Sequence, residues 1–77
     1  MLTKNKGLVY FKDGHIEPII EYTNDEATSV LSFSTKAAFY IRIFHKRQFY
    51  QYYKYRVNKN WESDYILIDD IDHVELK

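Results

Sequence analysis

Between Lys36 and Lys59 the chain sets seven cations (Lys36, Arg42, Lys46, Arg47, Lys54, Arg56 and Lys59) among eight rings (Phe39, Tyr40, Phe44, Phe49, Tyr50, Tyr52, Tyr53 and Tyr55), with no carboxylate in the stretch. Ring faces stack on bases and other planar groups, while arginine forks and lysine ammonium groups neutralise phosphates. The combination suits a nucleotide, a nucleic acid or an acidic protein patch. Catalytic chemistry finds less support. There is no cysteine, so thiolate nucleophiles, disulfides and thiolate zinc sites are excluded. Ser29, Ser32, Ser34 and Ser63 have no nucleophile elbow or glycine-rich oxyanion loop around them. With Gly7 and Gly14 as its two glycines, the chain has no phosphate-cradling loop, so a phosphate would be held by side chains. His15, His45 and His73 show no metal-ligand spacing. Asp69, Asp70 and Asp72 lack the glycine and distal glutamate of a calcium loop. The reading is of a non-enzymatic protein without cofactor or metal.

Strands must position these groups. Gly7–Phe11 and Ile16–Tyr22 are two strand-forming runs around Asp13-Gly14, a hairpin signal. Pro18 has no amide donor, which makes its strand an edge or a bulge. Thr23–Glu26 reads as a turn, and Ser29–Thr35 as a half-buried strand with Leu31 and Phe33 inward. Lys36-Ala37-Ala38 connects it to a run of period two, in which Phe39, Ile41 and Ile43 share one face and Tyr40, Arg42 and Phe44 the other. The first face is the expected core; a helix over Ala37–Gln48 is the alternative. A three-residue loop at His45-Lys46-Arg47 would set Ile43 opposite Phe49 and Ile41 opposite Gln51, placing Tyr40 and Arg42 near Tyr50 and Tyr52. After Asn58-Lys59-Asn60 comes Trp61, expected in the core or at a subunit contact. Asp69–Asp72 reads as one helical turn, and Val74 and Leu76 as a closing strand on the amino-terminal sheet.

The fold class expected is therefore all-β or β-rich: one small antiparallel sheet or an SH3-like, partly open barrel of five to six strands, with a short helical turn near 69–72, in a single domain of 77 residues. A chain this short has a thin core and often oligomerises. Its formal net charge is zero, but the charge is divided: residues 1–26 carry −2, residues 27–61 carry +7 and residues 62–77 carry −5. The acidic end is therefore expected to fold against the basic centre, and near-zero net charge removes the long-range field that most duplex DNA binders use. No run is long and apolar enough for a signal peptide or membrane span, so a cytoplasmic protein without membrane contact is expected.

The opening Gly7-Leu8-Val9-Tyr10-Phe11-Lys12-Asp13-Gly14-His15-Ile16-Glu17 and the closing Asp69-Asp70-Ile71-Asp72-His73-Val74-Glu75-Leu76 resemble short uncharacterised proteins encoded by phages and prophages of Gram-positive bacteria. The resemblance implies an accessory or counter-defence role, either binding a host immune protein or sequestering a nucleotide signal as an oligomer. The ligand-binding set expected is Tyr40, Arg42, Tyr50, Tyr52, Lys54 and Arg56, with the tyrosines stacking and the cations neutralising. The partners expected are further copies of the chain and either a nucleotide-type ligand or a host protein. Single-stranded nucleic acid on the same face, or a purely structural interaction module, are the alternatives. Tyrosine is also a common exposed strand former, which would need no ligand at all.

Overall fold

The computed structural model describes residues 6–44 and 49–77, so the expected basic turn at His45, Lys46 and Arg47 lies outside the described residues. Eight strands form among the described residues: β1 (Gly7–Phe11), β2 (Ile16–Pro18), β3 (Glu21–Asp25), β4 (Val30–Ser34), β5 (Phe39–Phe44), β6 (Tyr50–Val57), β7 (Ser63–Ile68) and β8 (Ile71–Leu76). The fold is all-β, with no helix among the described residues, and hence none long and apolar enough to cross a membrane. The strands make two antiparallel sheets, β2-β1-β8 and β3-β4-β5-β6-β7.

Two bent ribbons join the sheets, which is why the strands expected in one small sheet or a partly open barrel divide between two sheets. The run expected as one strand from Ile16 to Tyr22 turns at Ile19-Ile20. There the Ile19 amide donates to the Gly7 carbonyl in the smaller sheet (2.9 Å), and the next amide, Ile20, donates to Ser34 in the larger one (2.8 Å). Bends of this kind let one strand serve two sheets. The second corner is Asp69-Asp70. Ile68 pairs with Tyr52 on one side of it, Ile71 pairs with Phe11 on the other, and the Asp70 carbonyl accepts from the Lys12 amide at 2.9 Å. The helical turn expected near 69–72 is thus extended chain, because both flanking runs are needed as strands. The turn expected over Thr23–Glu26 begins three residues later, at Glu26, where the Asp25 carboxylate accepts from the amides of Ala27 and Thr28.

The expected elements at the two ends are present. β1 and β2 form the Asp13-Gly14 hairpin, and Pro18 lies on the edge strand β2, opposite Leu8. β8 closes back onto β1. Gly7 is tightly constrained there: at φ +148 it lies where side chains are rarely tolerated, and a Cβ would collide with the Glu75 carbonyl.

The core comprises Val9, Phe11, Ile19, Leu31, Phe33, Tyr40, Tyr52 and Ile71. This corrects the facing of β5. Ladder pairing sets Phe33 opposite Tyr40 and Leu31 opposite Arg42, and directly opposed residues share a face. Since β4 buries Leu31 and Phe33, it brings Tyr40 inward and turns Phe39, Ile41 and Ile43 outward. The turn at 35–38 fixes this register: the Thr35 amide donates to the Ala38 carbonyl (2.9 Å), and the Thr35 hydroxyl oxygen accepts from the amides of Ala37 (3.1 Å) and Ala38 (3.3 Å). The β5–β6 register also differs from expectation by two residues, with Ile43 opposite Gln51 and Ile41 opposite Tyr53. The shift preserves facing, so Arg42 meets Tyr52 and Phe44 meets Tyr50.

Glu17 ties the two sheets together. Its Oε1 accepts from the Thr35 hydroxyl at 2.8 Å and the Tyr40 hydroxyl at 3.5 Å, while Oε2 lies 3.1 Å from His15 Nε2. His15 Nδ1 lies 2.7 Å from Asp13 Oδ1, and its ring stacks on Phe11 at 4.1 Å. Only the protonated imidazole donates from both nitrogens, so the hydrogen bond to Asp13, followed by that to Glu17, raises the His15 pKa above 6.5. The Asp13 carboxyl is lowered from 3.8, first by the His15 backbone amide and then by its ring.

Gly7→Ala should lower stability by about 2 kcal/mol or more and Gly14→Ala, at φ +100 in open space, by distinctly less, as read by urea unfolding. The stability that wild type gains over His15→Gln should be fully present between pH 3.8 and 6.5, decline as pH rises through the raised folded-state pKa of His15, and be lost in acid as pH falls through the lowered pKa of Asp13. Melting temperatures of the two proteins across pH check it.

Candidate functional site

Half of the expected ligand-binding set converges at the β7–β8 corner. Past the Tyr52–Ile68 pair, β7 ends, and Tyr50 and Gln51 on β6 have no ladder partner on that side. β8 turns away to pair with β1, and the gap between β6 and β8 is a cleft of about 460 Å³. Arg42, Tyr50 and Tyr52 line it, joined by Lys12, Asp72 and His73. A second cleft of about 270 Å³, bordered by Asn24, Ser29 and Phe44, shares Arg42 and Tyr50 as its wall.

The wall is a cation–π pair. Arg42 Cζ lies 3.9 Å from the centroid of the Tyr50 ring, which also makes a T-shaped contact with the Phe44 ring, centroids 5.1 Å apart. Arg42 is half-buried and takes part in no ion pair among the described residues, which include every aspartate and glutamate of the chain. A partly desolvated guanidinium without a carboxylate partner is well suited to receive an anion. Tyr52, beneath it, has its hydroxyl pKa raised by burial, an effect opposed by the nearby Arg42 charge. Across the cleft, Asp72 is skipped in the β1–β8 ladder, where Tyr10 pairs with His73 and Phe11 with Ile71. Such a bulge re-aims side chains. Asp72 Oδ2 lies 2.7 Å from His73 Nδ1, and the His73 ring stacks on Tyr10 at 4.4 Å.

The other three expected residues do not join this cleft. Tyr40 is only 4% exposed; it stacks on Phe33 at 5.3 Å, and burial, followed by the Glu17 and Asp70 charges, pushes its hydroxyl up to about 12. It is a core residue whose ring face is unavailable for stacking, and Tyr52, at 7% exposed, also presents little ring surface. Lys54 is exposed farther along β6. Arg56 is held by Asp64 through two bonds of 2.9 and 3.3 Å, one point at which the acidic end folds onto the basic centre. Lys12, Asp72 and His73 enter the site from outside the basic aromatic stretch. The period-two pattern gave no sign of them, because a corner and a bulge bring them there.

A second surface lies on the outer face of the larger sheet. The alternation that turns Tyr40 inward leaves Phe39, Tyr55, Tyr65 and Leu67 outward and 37%, 37%, 46% and 59% exposed. Phe39 meets Tyr55 edge-on at 6.1 Å, and Tyr55 meets Tyr65 at 5.4 Å. Trp61, expected in the core or at a contact, is 88% exposed at the β6–β7 turn. It has φ 62, and its amide donates to the Asn58 carbonyl at 3.1 Å. No cluster of three or more metal-binding side chains occurs among the described residues. The chain matches no family model, no curated protein and no solved structure.

Burial separates the tyrosines sharply. Tyr40→Ala and Tyr52→Ala should each cost about 3 kcal/mol or more, as for large aromatic truncations in a core, and Tyr50→Ala, at a residue 47% exposed, about 1 kcal/mol. Chemical denaturation of the three variants measures this ordering.

Proposed function

We propose that this chain is a non-catalytic binding protein that captures a small, flat, negatively charged ligand of nucleotide type in the cleft between β6 and β8. The observation that carries the reading is Arg42: half-buried, packed on the Tyr50 ring at 3.9 Å, lining both clefts and unpaired with any carboxylate. A base or similar ring laid against the guanidinium plane would extend the existing stack. The arginine fork, with Lys12 on the far side, would take phosphate oxygens. The cleft of about 460 Å³ lies within the usual range for small-molecule sites, roughly 300 to 1,000 Å³.

The distribution of charge favours this ligand over a nucleic-acid strand. A strand binder needs a cationic track that follows the backbone, whereas Arg56 is committed to Asp64 and Asp69 and Asp72 line the same cleft as Arg42. Those carboxylates favour a ligand with few phosphates. In the phage setting that the resemblance of the chain ends implies, capture of such a ligand would withdraw a nucleotide signal from a host defence response.

Calorimetric titration with a panel of mono-, di- and cyclic nucleotides is expected to find at least one ligand. Arg42→Ala should weaken its binding about 10-fold or more, as for loss of a charge-assisted contact, and Lys54→Ala should leave it unchanged. A panel that produces no binding heat, or an Arg42→Ala variant that binds as well as wild type, would overturn the reading.

A further inference from the structure

We infer that the outer face of the five-stranded sheet is the contact between two copies of this chain. The inference goes beyond the ligand reading and rests on different residues. Along β5, β6 and β7 this face presents Phe39, Ile41 and Ile43, then Gln51, Tyr53, Tyr55 and Val57, then Ser63, Tyr65 and Leu67. None is charged. Cross-strand neighbours are matched ring to ring, Phe39 to Tyr55 and Tyr55 to Tyr65, so the rings are already ordered before any contact forms. The apolar alternation here is strong enough to read as core, yet the fold turns it to solvent because β4 and the Thr35 turn commit the opposite face inward. A face with core composition on the outside is what half of a shared core looks like.

Charge and size both select a second copy. An uncharged sheet face can meet itself across a two-fold axis without burying an unpaired ion, as an isologous contact requires. The outward carboxylates of this sheet, Glu21 and Asp25, lie on β3 at the far edge, so a contact centred on β6 leaves them outside. Strands β4 to β7 are five to eight residues long. At about 4.8 Å between strands and about 3.3 Å per residue, they give a face of roughly 19 by 22 Å. Two such faces bring together about 800 Å² of flat projection before side-chain relief is counted, close to the roughly 1,000 Å² that a specific interface needs. Sheets packed face to face at about 10 Å, with strands about 30° apart, supply the geometry.

The test is sedimentation velocity and light scattering of the full chain at concentrations on the order of 10 to 100 μM. The expected result is a mass twice that of the chain. Tyr65→Asp should give a monomer with the wild-type far-ultraviolet dichroism, and Ile16→Asp, at an equally exposed apolar residue of the smaller sheet, should remain a dimer. Should Tyr65→Asp fail to fold, a spin label on Ser63→Cys in the otherwise intact chain, which has no other cysteine, still gives a dipolar distance between copies if the faces meet. A monomer across this concentration range, a dimer that only Ile16→Asp dissociates, or labels without dipolar coupling would overturn the inference. So would a monomer whose face is covered by a different protein. Nucleotide binding and the Arg42→Ala effect are read separately, so the two proposals fail independently.

Discussion

The bond from the Thr35 hydroxyl to the Glu17 carboxylate, at 2.8 Å, is the constraint on which the arrangement turns. Thr35 sits at the one connection between β4 and β5, and its oxygen also accepts two turn amides. Glu17 belongs to the other sheet and holds the His15 ring with its second oxygen. One carboxylate therefore links the amino-terminal hairpin, the β4–β5 turn and the Tyr40 hydroxyl. A partly buried acid in this position is tolerated because its oxygens are hydrogen-bonded. The same contacts fix the register that sends Tyr40 inward, and every later strand of the larger sheet inherits its facing from that choice.

That inheritance explains why the basic aromatic stretch yields one paired arginine and ring in place of a continuous binding stripe. Residues of this facing on β5 and β6 pack into the core at Tyr40 and Tyr52 and emerge toward solvent at Arg42, Phe44 and Tyr50 on one side and at Lys54 and Arg56 on the other. The rings that would have stacked are used for packing. At the Tyr50 end, β7 has left for the corner, and the space it vacates beside β6 is the cleft. Fold and cleft thus share one cause: a ribbon that serves two sheets cannot accompany β6 along its whole length.

Much of this was legible in the chain. Asp13-Gly14 announced the first hairpin, Pro18 its edge position, Leu31 and Phe33 the inward residues of β4, and Val74 with Leu76 the closing strand. The alternation also places Arg42, Tyr50 and Tyr52 on one facing, as the ladder has them, although in a register two residues away. What period-two reasoning does not contain is which of two apolar faces goes inward, since Phe39-Ile41-Ile43 and Tyr40-Tyr52 both qualify as core and a turn hydroxyl decides between them. Corners were also illegible: Ile19-Ile20 reads as continuous strand, and Asp69-Asp70 as the start of a helical turn. Because the second corner and the Asp72 bulge carry His73 and Asp72 to the cleft, those residues could not be assigned to it from spacing alone.

The β6–β7 turn has an optical consequence. Trp61 is the chain's single tryptophan, and at 88% exposed its indole is already hydrated in the native fold. Its emission would therefore sit near that of a denatured chain and change little as the two sheets melt. The change in tyrosine absorbance, as buried rings such as Tyr40 and Tyr52 pass from apolar packing to water, is the spectroscopic signal that follows loss of this structure.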